Sequence, residues 1–518
     1  MVVDETSHDY ERLATPVSEL RPSAMLNDCH QKLDTDAEDE EEHYYSTMPL
    51  YKKTLWGIFY SFASVAALYF FMVAVKLIGD GITVALGCDT KGAFDFADNP
   101  VAGLMIGTIA TALLHSSGTV TSIVVALVGS SGMTIRQGVF VIMGANIGTC
   151  VTCIMVAFGQ VGDLVGCFQR AMAAATVHDM YNLWSVFVLF PLEWAFHPLE
   201  KLSVAMSNAH TDSGAFSSPV DVVVNPLAKE VIVVDKGAVY DVAAGAIECT
   251  SIQSFVTGGV FEGSSMGDGS IGAITALIGV CILVCSLFTL VKMLAKVFTG
   301  TTKHLVSKLL NYNGYINIIV GTLITFCVHS STVVTSTITP LAGLGVITLE
   351  QVYPLVIGAN LGTTGTALLA ALVTGRSDSV AIALVHFWFN VFGIILFYPI
   401  PITRKPILSW ARSLAFASAA WPMTAVLFLI FLFLVAPGIL LGLVYMCTAS
   451  STAVQVIGYI IAAIVVVVTM ASLFWYLQKG GRSLWHAFLE KKRLEREART
   501  TRDTTRSCTQ ISLPSNAV

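Results

Sequence analysis

The sequence is poor in charged residues. Asp, Glu, Lys and Arg make up 12% of its 518 residues, whereas 54% are apolar, and the mean hydropathy is +0.71. Soluble domains carry about 25% charged residues, so this composition excludes a soluble globular protein. We predict a polytopic membrane protein in a lipid bilayer. The net charge of −6 says little, because its distribution matters more than its sum, and no nucleic-acid partner is expected.

The sequence also lacks the patterns of metal centres, secretory leaders and enzyme active sites. Its C-x-x-C pair, Cys150 and Cys153, lies inside an apolar stretch and has no second pair to complete a metal site. The first apolar run begins near Leu55, behind about 50 polar residues, so a cleavable signal peptide is not expected. We find no nucleophile–base set, so neither enzymatic activity nor a cofactor is predicted.

Ten hydrophobic segments follow the polar N-terminal stretch, and most are long enough to cross a bilayer. They cover about 54–79, 101–130, 134–159, 168–192, 271–299, 314–345, 349–374, 379–400, 423–447 and 454–477. This pattern predicts an all-α polytopic membrane protein whose last two segments are C-terminal transmembrane helices.

Two of these regions carry the same motifs 214 residues apart. His-Ser-Ser at 115–117 begins a stretch that ends in Gly-Ala-Asn-Ile-Gly-Thr at 144–149, and a gap-free copy covers 329–363. Fifteen of the 35 paired positions are identical, and most of these are Ser, Thr, Gly, Asn or Gln. Polar, glycine-interrupted segments at matching places in two halves are typical of a transporter site at a repeat interface.

The segments that follow each copy also match. Both contain an H-x-x-x-N pattern, at His178 and Asn182 and again at His386 and Asn390. This spacing places His and Asn on one helix face. The repeat unit is therefore four hydrophobic segments long.

The distribution of charge predicts how the repeats are oriented. Lys and Arg cluster before the first segment, near residue 300, after residue 402 and in the C-terminal tail, which are predicted to be cytoplasmic. The linker around 80–98 and the loop 197–270 are acidic and are predicted to lie outside. The first repeat then crosses an odd number of times with four segments, so at least one segment does not cross. We predict two inverted repeats in which re-entrant, broken helices carry the His-Ser-Ser motifs.

These expectations divide the chain into six parts. They are a disordered cytoplasmic N-terminal tail (1–50), the first repeat (51–196), a large extracellular loop (197–270), the second repeat (271–402), the C-terminal transmembrane helices (403–478) and a basic cytoplasmic tail (479–518).

The repeated residues suit a site for an oxyanion and a small cation. Ser and Thr hydroxyls can donate to an anion and accept beside a cation, and broken helices aim N–H groups at anions and carbonyls at Na+. Gly144, Gly148, Gly358 and Gly362 would permit such a break. The alternative is ordinary helix packing, which also enriches Ser, Thr and Gly. Two gap-free copies favour the site.

Asp179 is a carboxylate inside an apolar segment, which usually marks an ion path. The alternative is an Asp near a helix end that a neighbour such as His178 satisfies. Gln160 and Asp163 lie at a segment junction and alone would indicate a solvated turn.

At these residues the chain resembles the type II sodium-dependent phosphate cotransporters, which carry two Q-S-S-S motifs in inverted repeats. The shared motifs lie at 99–103, 142–149, 175–179, 224–229, 345–348, 353–355 and 358–364. The resemblance covers about residues 50–480. It implies a plasma-membrane symporter that imports inorganic phosphate with Na+ as the coupling ion.

The resemblance also implies two ligand sets. The phosphate-binding candidates are Ser116, Ser117, Ser330, Ser331 and Thr332. The sodium-binding candidates are His115, Gln160, Asp163, Asp179, Asn182, His329, Asn360, Thr363 and Thr366. In the family, an Asp at the position of Asp179 goes with electrogenic transport, so co-transport of divalent phosphate with net charge is expected.

Three departures from the family pattern stand out. Both motif glutamines are histidines here, His115 and His329, and the third serine is Gly118 or Thr332. A histidine titrates near pH 6.5 in isolation. If these histidines face the cation, as we expect, protonation should weaken Na+ binding, and if either faces phosphate, protonation should favour anion binding. The outer loop holds a single cysteine, Cys249, so the disulfide that the family forms within this loop is not possible.

Two further readings stay open at this point. One keeps the fold but couples transport to H+ or carries another small oxyanion, and the other is an uncoupled ion pore. A homodimer is compatible with the sequence, which does not specify an oligomeric state.

Overall fold

The computed structural model describes residues 49–87, 98–129, 133–161, 165–207, 219–243, 247–297, 313–328, 330–374 and 377–511. The chain divides into two compact units. The smaller unit consists of residues 1–59 with 497–518, and the larger unit is 60–496. All candidate site residues belong to the larger unit.

The described residues of the first repeat form six helices. They are α1 (Leu50–Leu86), α2 (Pro100–Leu114), α3 (Ser117–Gly129), α4 (Ile135–Gly148), α5 (Val151–Phe158) and α6 (Val165–Phe196). Helix α1 runs seven residues past the predicted end of its segment at 79, so Asp80 is a helical residue rather than part of an acidic linker. Its buried carboxylate pairs with Lys76 one turn earlier at 3.0 Å.

The predicted outer loop is more ordered than the sequence indicates. It contains α7 (Pro198–Ser207), α8 (Pro219–Val231), β1 (Val233–Val234), α9 (Lys236–Ala243) and β2 (Val256–Gly258), with β1 and β2 antiparallel. Apolar side chains of α8 and β2 form a core with those of α1. Cys249 is disulfide-bonded. Because it is the only cysteine of the loop, its partner lies outside the loop.

In the second half, five helices of the described ranges match the first repeat. They are α10 (Asp268–Val297), α11 (Gly314–Val328), α12 (Ser331–Gly343), α13 (Leu349–Thr374) and α14 (Ser377–Phe397). The C-terminal helices are α15 (Pro401–Ala420), α16 (Met423–Ile430), a π-helical turn (Phe431–Val435), α17 (Ala436–Cys447), α18 (Thr452–Gln478) and α19 (Gly481–Ile511).

Six helical stretches within the described ranges are long and apolar enough to cross a membrane. They are Thr54–Leu86, Ile135–Phe158, Asp268–Leu290, Ser377–Phe397, Met423–Cys447 and Thr452–Gln478. The prediction of an all-α polytopic membrane protein is confirmed, and the last two stretches agree with the two predicted C-terminal segments. Helix α15 was not predicted, and its alanine-rich face packs along α6.

The repeat is also visible in the helix boundaries. Helices α2 and α11 begin and end 214 residues apart, and so do α3 and α12. Thr108 donates to the Gly144 carbonyl at 3.3 Å, and Thr322 donates to the Gly358 carbonyl at 3.1 Å. The copies therefore share their helix contacts as well as their sequence.

The repeated glycines allow these helices to approach closely. A Cβ atom at Gly144 would lie 1.9 Å from the Leu104 carbonyl oxygen, and one at Gly358 would lie 2.2 Å from that of Ile318. Helix α13 runs unbroken through Gly358 and Gly362. The expectation that these glycines permit a break is therefore wrong for the second copy, where they serve packing. In the first copy the helix is interrupted after Gly148.

Candidate functional site

Each His-Ser-Ser motif lies where one helix ends and the next begins. His115 ends α2 in the left-handed conformation, with φ of 53°, and Ser116 caps α3 by accepting from the Thr119 amide at 3.2 Å. Ser330 caps α12 in the same way, accepting from the Val333 amide at 3.3 Å. The predicted apolar segment 101–130 is therefore two helices joined at the motif.

The second serine of each motif is buried in the first turn of the following helix. Ser117, Ser331 and Thr332 expose 5%, 3% and 4% of their surface. The first N–H groups of a helix have no partner within it, and the helix dipole favours an anion there. The two motifs thus supply hydroxyls and backbone donors of the kind that hold an oxyanion.

His115 is held by a neighbouring helix of its own repeat. Its Nδ1 lies 3.0 Å from the hydroxyl oxygen of Thr152 in α5. The matching His329 and the candidate Asp163 lie outside the described residues.

A chain of hydrogen bonds connects the two repeats deep inside the protein. His178 Nε2 lies 2.6 Å from Asn360 Oδ1, and the amide nitrogen of Asn360 donates to Asn182 Oδ1 at 2.8 Å. Asn182 in turn donates to the Asn146 carbonyl at 2.7 Å, and Asn146 Oδ1 lies 3.3 Å from His386 Nε2. We call these five residues the Asn–His cluster, and all are at least 96% buried.

The Asn–His cluster is reciprocal. Asn146 and Asn360 are repeat equivalents, and each meets the histidine of the other repeat's H-x-x-x-N pattern. Since an amide oxygen only accepts, each histidine Nε2 must carry a proton, and in the neutral ring Nδ1 is then an acceptor. Neither Nδ1 has a hydrogen-bond partner among the described residues.

Asp179 lies beside this cluster and is 1% exposed. Both of its carboxylate oxygens lack a hydrogen-bond donor of good geometry within the described ranges, although the Cys150 thiol is adjacent. His178 does not satisfy Asp179, because its Nε2 is engaged by Asn360 and its Nδ1 makes no hydrogen bond to a described residue. A buried carboxylate without donors requires another compensating partner, such as a cation or a proton.

Gln160 lies in the turn that follows α5 and is fully buried. Its Nε2 donates to the Pro340 carbonyl at 3.4 Å, and its Oε1 has no described partner. Thr363 donates to the Ala359 carbonyl at 3.1 Å, which leaves its oxygen able to accept or coordinate. Thr366 lies in α13, but its side chain is outside the description.

Among the buried polar atoms without a hydrogen-bond partner in the described residues are several acceptors. They include Oδ1 and Oδ2 of Asp179, Oε1 of Gln160, Oδ1 of Asn390 and the Nδ1 atoms of His178 and His386. Oxygen atoms are the ligands that hard cations prefer, so this donor set fits Na+ as a transported ion. From the sequence, His178, His386 and Asn390 were recognised as parts of the H-x-x-x-N patterns, but neither they nor Asn146 were assigned to the site. The signal was present, since Asn146 is the repeat equivalent of Asn360, but spacing alone could not show which histidine meets which asparagine.

Comparison with known proteins gives a consistent result. A profile of the Na+/Pi-cotransporter family matches residues 70–188 and 282–419. Sodium-dependent phosphate transport protein 2A of Rattus norvegicus is 35% identical over 476 residues, which cover 82% of this chain and 74% of that protein.

Two further relatives are sodium-dependent phosphate transport proteins 2B. Those of Pongo abelii and Homo sapiens are each 35% identical over 443 residues, which cover 73% of this chain and 64% of each relative. The chain therefore spans less than two thirds of these two proteins. No solved structure matches the chain.

Proposed function

Because this chain belongs to the Na+/Pi-cotransporter family, we propose that it is a secondary active symporter that imports inorganic phosphate with Na+ as the coupling ion. The observation that carries this proposal is 35% identity over 82% of the chain to a protein named as a sodium-dependent phosphate transporter. The family consists of transporters rather than enzymes, and the transported species are phosphate and Na+.

We place phosphate at the paired starts of α3 and α12. The buried hydroxyls of Ser117, Ser331 and Thr332 and the first backbone N–H groups of both helices support this position. Ser116 and Ser330 cap these helices and orient the same N–H groups. An oxyanion could thus be held by neutral donors, which can release it again on the other side.

We place Na+ around Asp179, Asn182 and Gln160 in the first repeat and around Asn360 and Thr363 in the second. Unpaired acceptor atoms on Asp179 and Gln160 support this assignment. The proposed set is completed by His115, His329, Asp163 and Thr366. Of these, His329, Asp163 and the side chain of Thr366 lie outside the described part of the chain. One ion bound at Asp179 would neutralise a carboxylate that has no described donor.

Four further features belong to the proposal. The repeats are inverted, with the His-Ser-Ser segments re-entrant, so that Ser117 and Ser331 face one another. The protein resides in the plasma membrane with both termini in the cytoplasm. Transport is electrogenic and carries divalent phosphate. A homodimer is the oligomeric state to test.

A flux measurement tests the function. Cells or proteoliposomes containing the protein should concentrate radiolabelled phosphate when an inward Na+ gradient is present. Uptake should stop when the gradient is collapsed by an ionophore or when Na+ is replaced by choline. Uptake driven by a proton gradient without Na+ would favour H+ coupling instead, and downhill flux that ignores both gradients would favour a pore. Competition with sulfate and arsenate tests the oxyanion.

A further inference from the structure

The first part of the C-terminal helix α19 packs against helix α15. Leu489 is 2% exposed and packs, with Trp485 and Phe488, against Ala417 and Ala420 at the end of α15. The helix thereby packs on the end of α15, about 70 residues earlier in the chain.

Arg496 makes the contact that matters for the site. Its Nη1 donates to the Ala419 carbonyl at 2.5 Å, and its Nη2 donates to the Val161 carbonyl at 2.6 Å. The guanidinium carbon lies 5.4 Å from the centre of the Phe168 ring, over its face. One side chain thus joins the C-terminal helix to α15, to the turn after α5 and to the start of α6.

The Val161 turn is the turn that presents Gln160. The amides of residues 159, 160 and 161 donate to the carbonyls of residues 156, 157 and 158 at 3.0 Å each, so helix α5 ends in a tightened turn. Val161 follows this end of α5, where a helix carries negative partial charge, and its carbonyl accepts from Arg496. The planar fork of an arginine can donate to two such carbonyls at once, which a lysine ammonium cannot do with the same geometry.

We propose that Arg496 is a positioning residue for the sodium site, acting through the turn that carries Gln160. This inference rests on the proposed function, in which Gln160 contributes to Na+ binding. Among the described residues, the side chain of Gln160 makes one long hydrogen bond, 3.4 Å to the Pro340 carbonyl, so the position of its Oε1 depends on the turn that carries it. The next residue after Gln160 is Val161, whose carbonyl accepts from Arg496.

The same contact has a topological consequence. Since α19 and the 159–161 turn are joined by one side chain, they lie on the same side of the membrane. If the C-terminal tail is cytoplasmic, as its basic charge predicts, then Gln160 marks the cytoplasmic end of the ion path. A tail helix at this position could adjust ion release into the cell.

Two variants and one control test the proposal. In Arg496→Gln, the Na+ concentration for half-maximal phosphate uptake should rise by roughly three- to tenfold, as expected when charge-assisted hydrogen bonds are lost. Maximal uptake per molecule at the cell surface and the phosphate KM at saturating Na+ should stay close to those of the parent. Arg496→Lys should give an intermediate shift.

Lys492→Gln is the matched control. It removes one positive charge from the same helix, and the described contacts of Lys492 are an ion pair with Glu495 at 2.8 Å and the ring of Phe488. Both of these contacts lie within α19, so the Na+ dependence of this variant should equal that of the parent.

A second measurement does not depend on transport. Hydrogen exchange of the purified full-length protein should be faster at residues 159–161 in Arg496→Gln than in the parent or in Lys492→Gln. Unchanged exchange would overturn the contact, and faster exchange with unchanged Na+ dependence would overturn the positioning role. A parent chain without Na+-dependent uptake would instead contradict the proposed function, while the exchange comparison would still test the contact. If Arg496→Gln does not reach the surface, Arg496→Lys supplies both readouts.

Discussion

Asp179 shows how far a single residue can be interpreted from its chemistry. An ionised carboxylate inside a membrane protein is unfavourable by at least a few kcal/mol unless it is compensated. Its two oxygens lack a donor of good geometry among the described residues, and no cationic side chain in those ranges forms an ion pair with it. A transported cation would supply the compensation. The sequence was sufficient to single out Asp179, because an Asp within an apolar segment is rare.

Replacing Asp179 should separate charge movement from phosphate movement. Asp179→Gly and Asp179→Asn should fold, still carry phosphate with Na+ and lose the phosphate-induced current, since one cation would no longer be bound. The measurement is current and radiolabelled uptake in the same voltage-clamped cells. Asp378→Asn removes an exposed carboxylate at the start of α14 and should behave like the parent. An unchanged ratio of charge to phosphate in the Asp179 variants would contradict the proposal.

At the scale of helices, α6 and α14 each deliver a histidine to the other repeat. In both H-x-x-x-N patterns the histidine reaches the other repeat, and the asparagine one turn later donates to a carbonyl of its own repeat. Asn182 also accepts from Asn360 of the other repeat. In a membrane interior, an amide without partners is unfavourable. The Asn–His cluster therefore fixes how the repeats meet.

A double-mutant cycle measures this connection. His178→Leu should lower the free energy of unfolding by roughly 1–3 kcal/mol, because it leaves the buried Asn360 oxygen without a donor. His178→Gln, which keeps a donor near the Nε2 position, should recover part of the loss. When Asn360→Leu is already present, His178→Leu should have a much smaller effect. Thermal unfolding of the purified variants gives these values, and additive effects would show that the two residues are not coupled.

The equivalent histidine provides the internal comparison for this cycle. The distance from His386 to Asn146 is 3.3 Å, against 2.6 Å for the other pair. His386→Leu should therefore destabilise the protein less than His178→Leu. Equal or reversed losses would indicate that packing rather than hydrogen bonding determines both effects.

Glu193 shows how the end of α6 controls the start of α7. Its buried carboxylate accepts from the amides of Leu199 at 2.7 Å and Glu200 at 3.0 Å, so it caps the helix that begins at Pro198. Burial raises the pKa of Glu193 above its ordinary value, although these two amides act in the opposite direction. The folded protein therefore keeps its proton at pH values where the unfolded chain has lost it.

This raised pKa predicts the sign of a pH effect on stability. Below the ordinary Glu pKa of about 4.3, both states are protonated and the residue contributes no pH dependence. As the pH rises from there through the raised folded-state value, the unfolded chain ionises first and stability is lost. The thermal midpoint of Glu193→Gln should lack this contribution, whereas Glu230→Gln, at an exposed position, should retain it. Identical pH profiles for the parent and Glu193→Gln would contradict the assignment.

Sequence patterns predicted the apolar helices well and their polar details less well. Long hydrophobic runs directly reveal spans, and the C-terminal pair appeared where expected. Helix α15 was missed because its alanines and serines are only weakly apolar, and they become a buried face only against α6. From the sequence, the repeated glycines were interpreted as helix breakers. Their close packing against backbone carbonyls becomes visible only in three dimensions.

At the scale of the whole molecule, the two His-Ser-Ser motifs should meet. We expect Ser117 and Ser331 to lie within about 20 Å of each other, less than the thickness of a hydrocarbon core, in an experimental structure obtained with phosphate. Ser117→Phe and Ser331→Phe should both abolish uptake, because a bulky ring would fill the start of each helix. Ser483→Phe, at an exposed position on α19, is the control. A larger separation would rule out a shared phosphate site.

The docked C-terminal helix could not be predicted from sequence at this scale. The basic charge of the tail predicts its side of the membrane, and Trp485 and Phe488 indicate that it is partly apolar. Nothing in the spacing of Arg496 points to Val161, which lies 335 residues earlier. Contacts of this kind depend on how the helices assemble, and assembly is a property of the complete chain.

The reciprocal histidine pairs can form only after both repeats have been synthesised. His178 and Asn360 are 182 residues apart, so at about 5–20 residues per second the ribosome needs roughly ten to forty seconds to supply the partner. During that interval the newly inserted first repeat holds His178 and Asn182 without Asn360, to which both later hydrogen-bond. Nascent chains arrested before Asn360 should therefore be degraded faster than completed chains. A pulse–chase experiment measures both half-lives, and equal half-lives would contradict this expectation. In that case, the assembly of the two repeats both forms the proposed transport path and protects the chain from degradation.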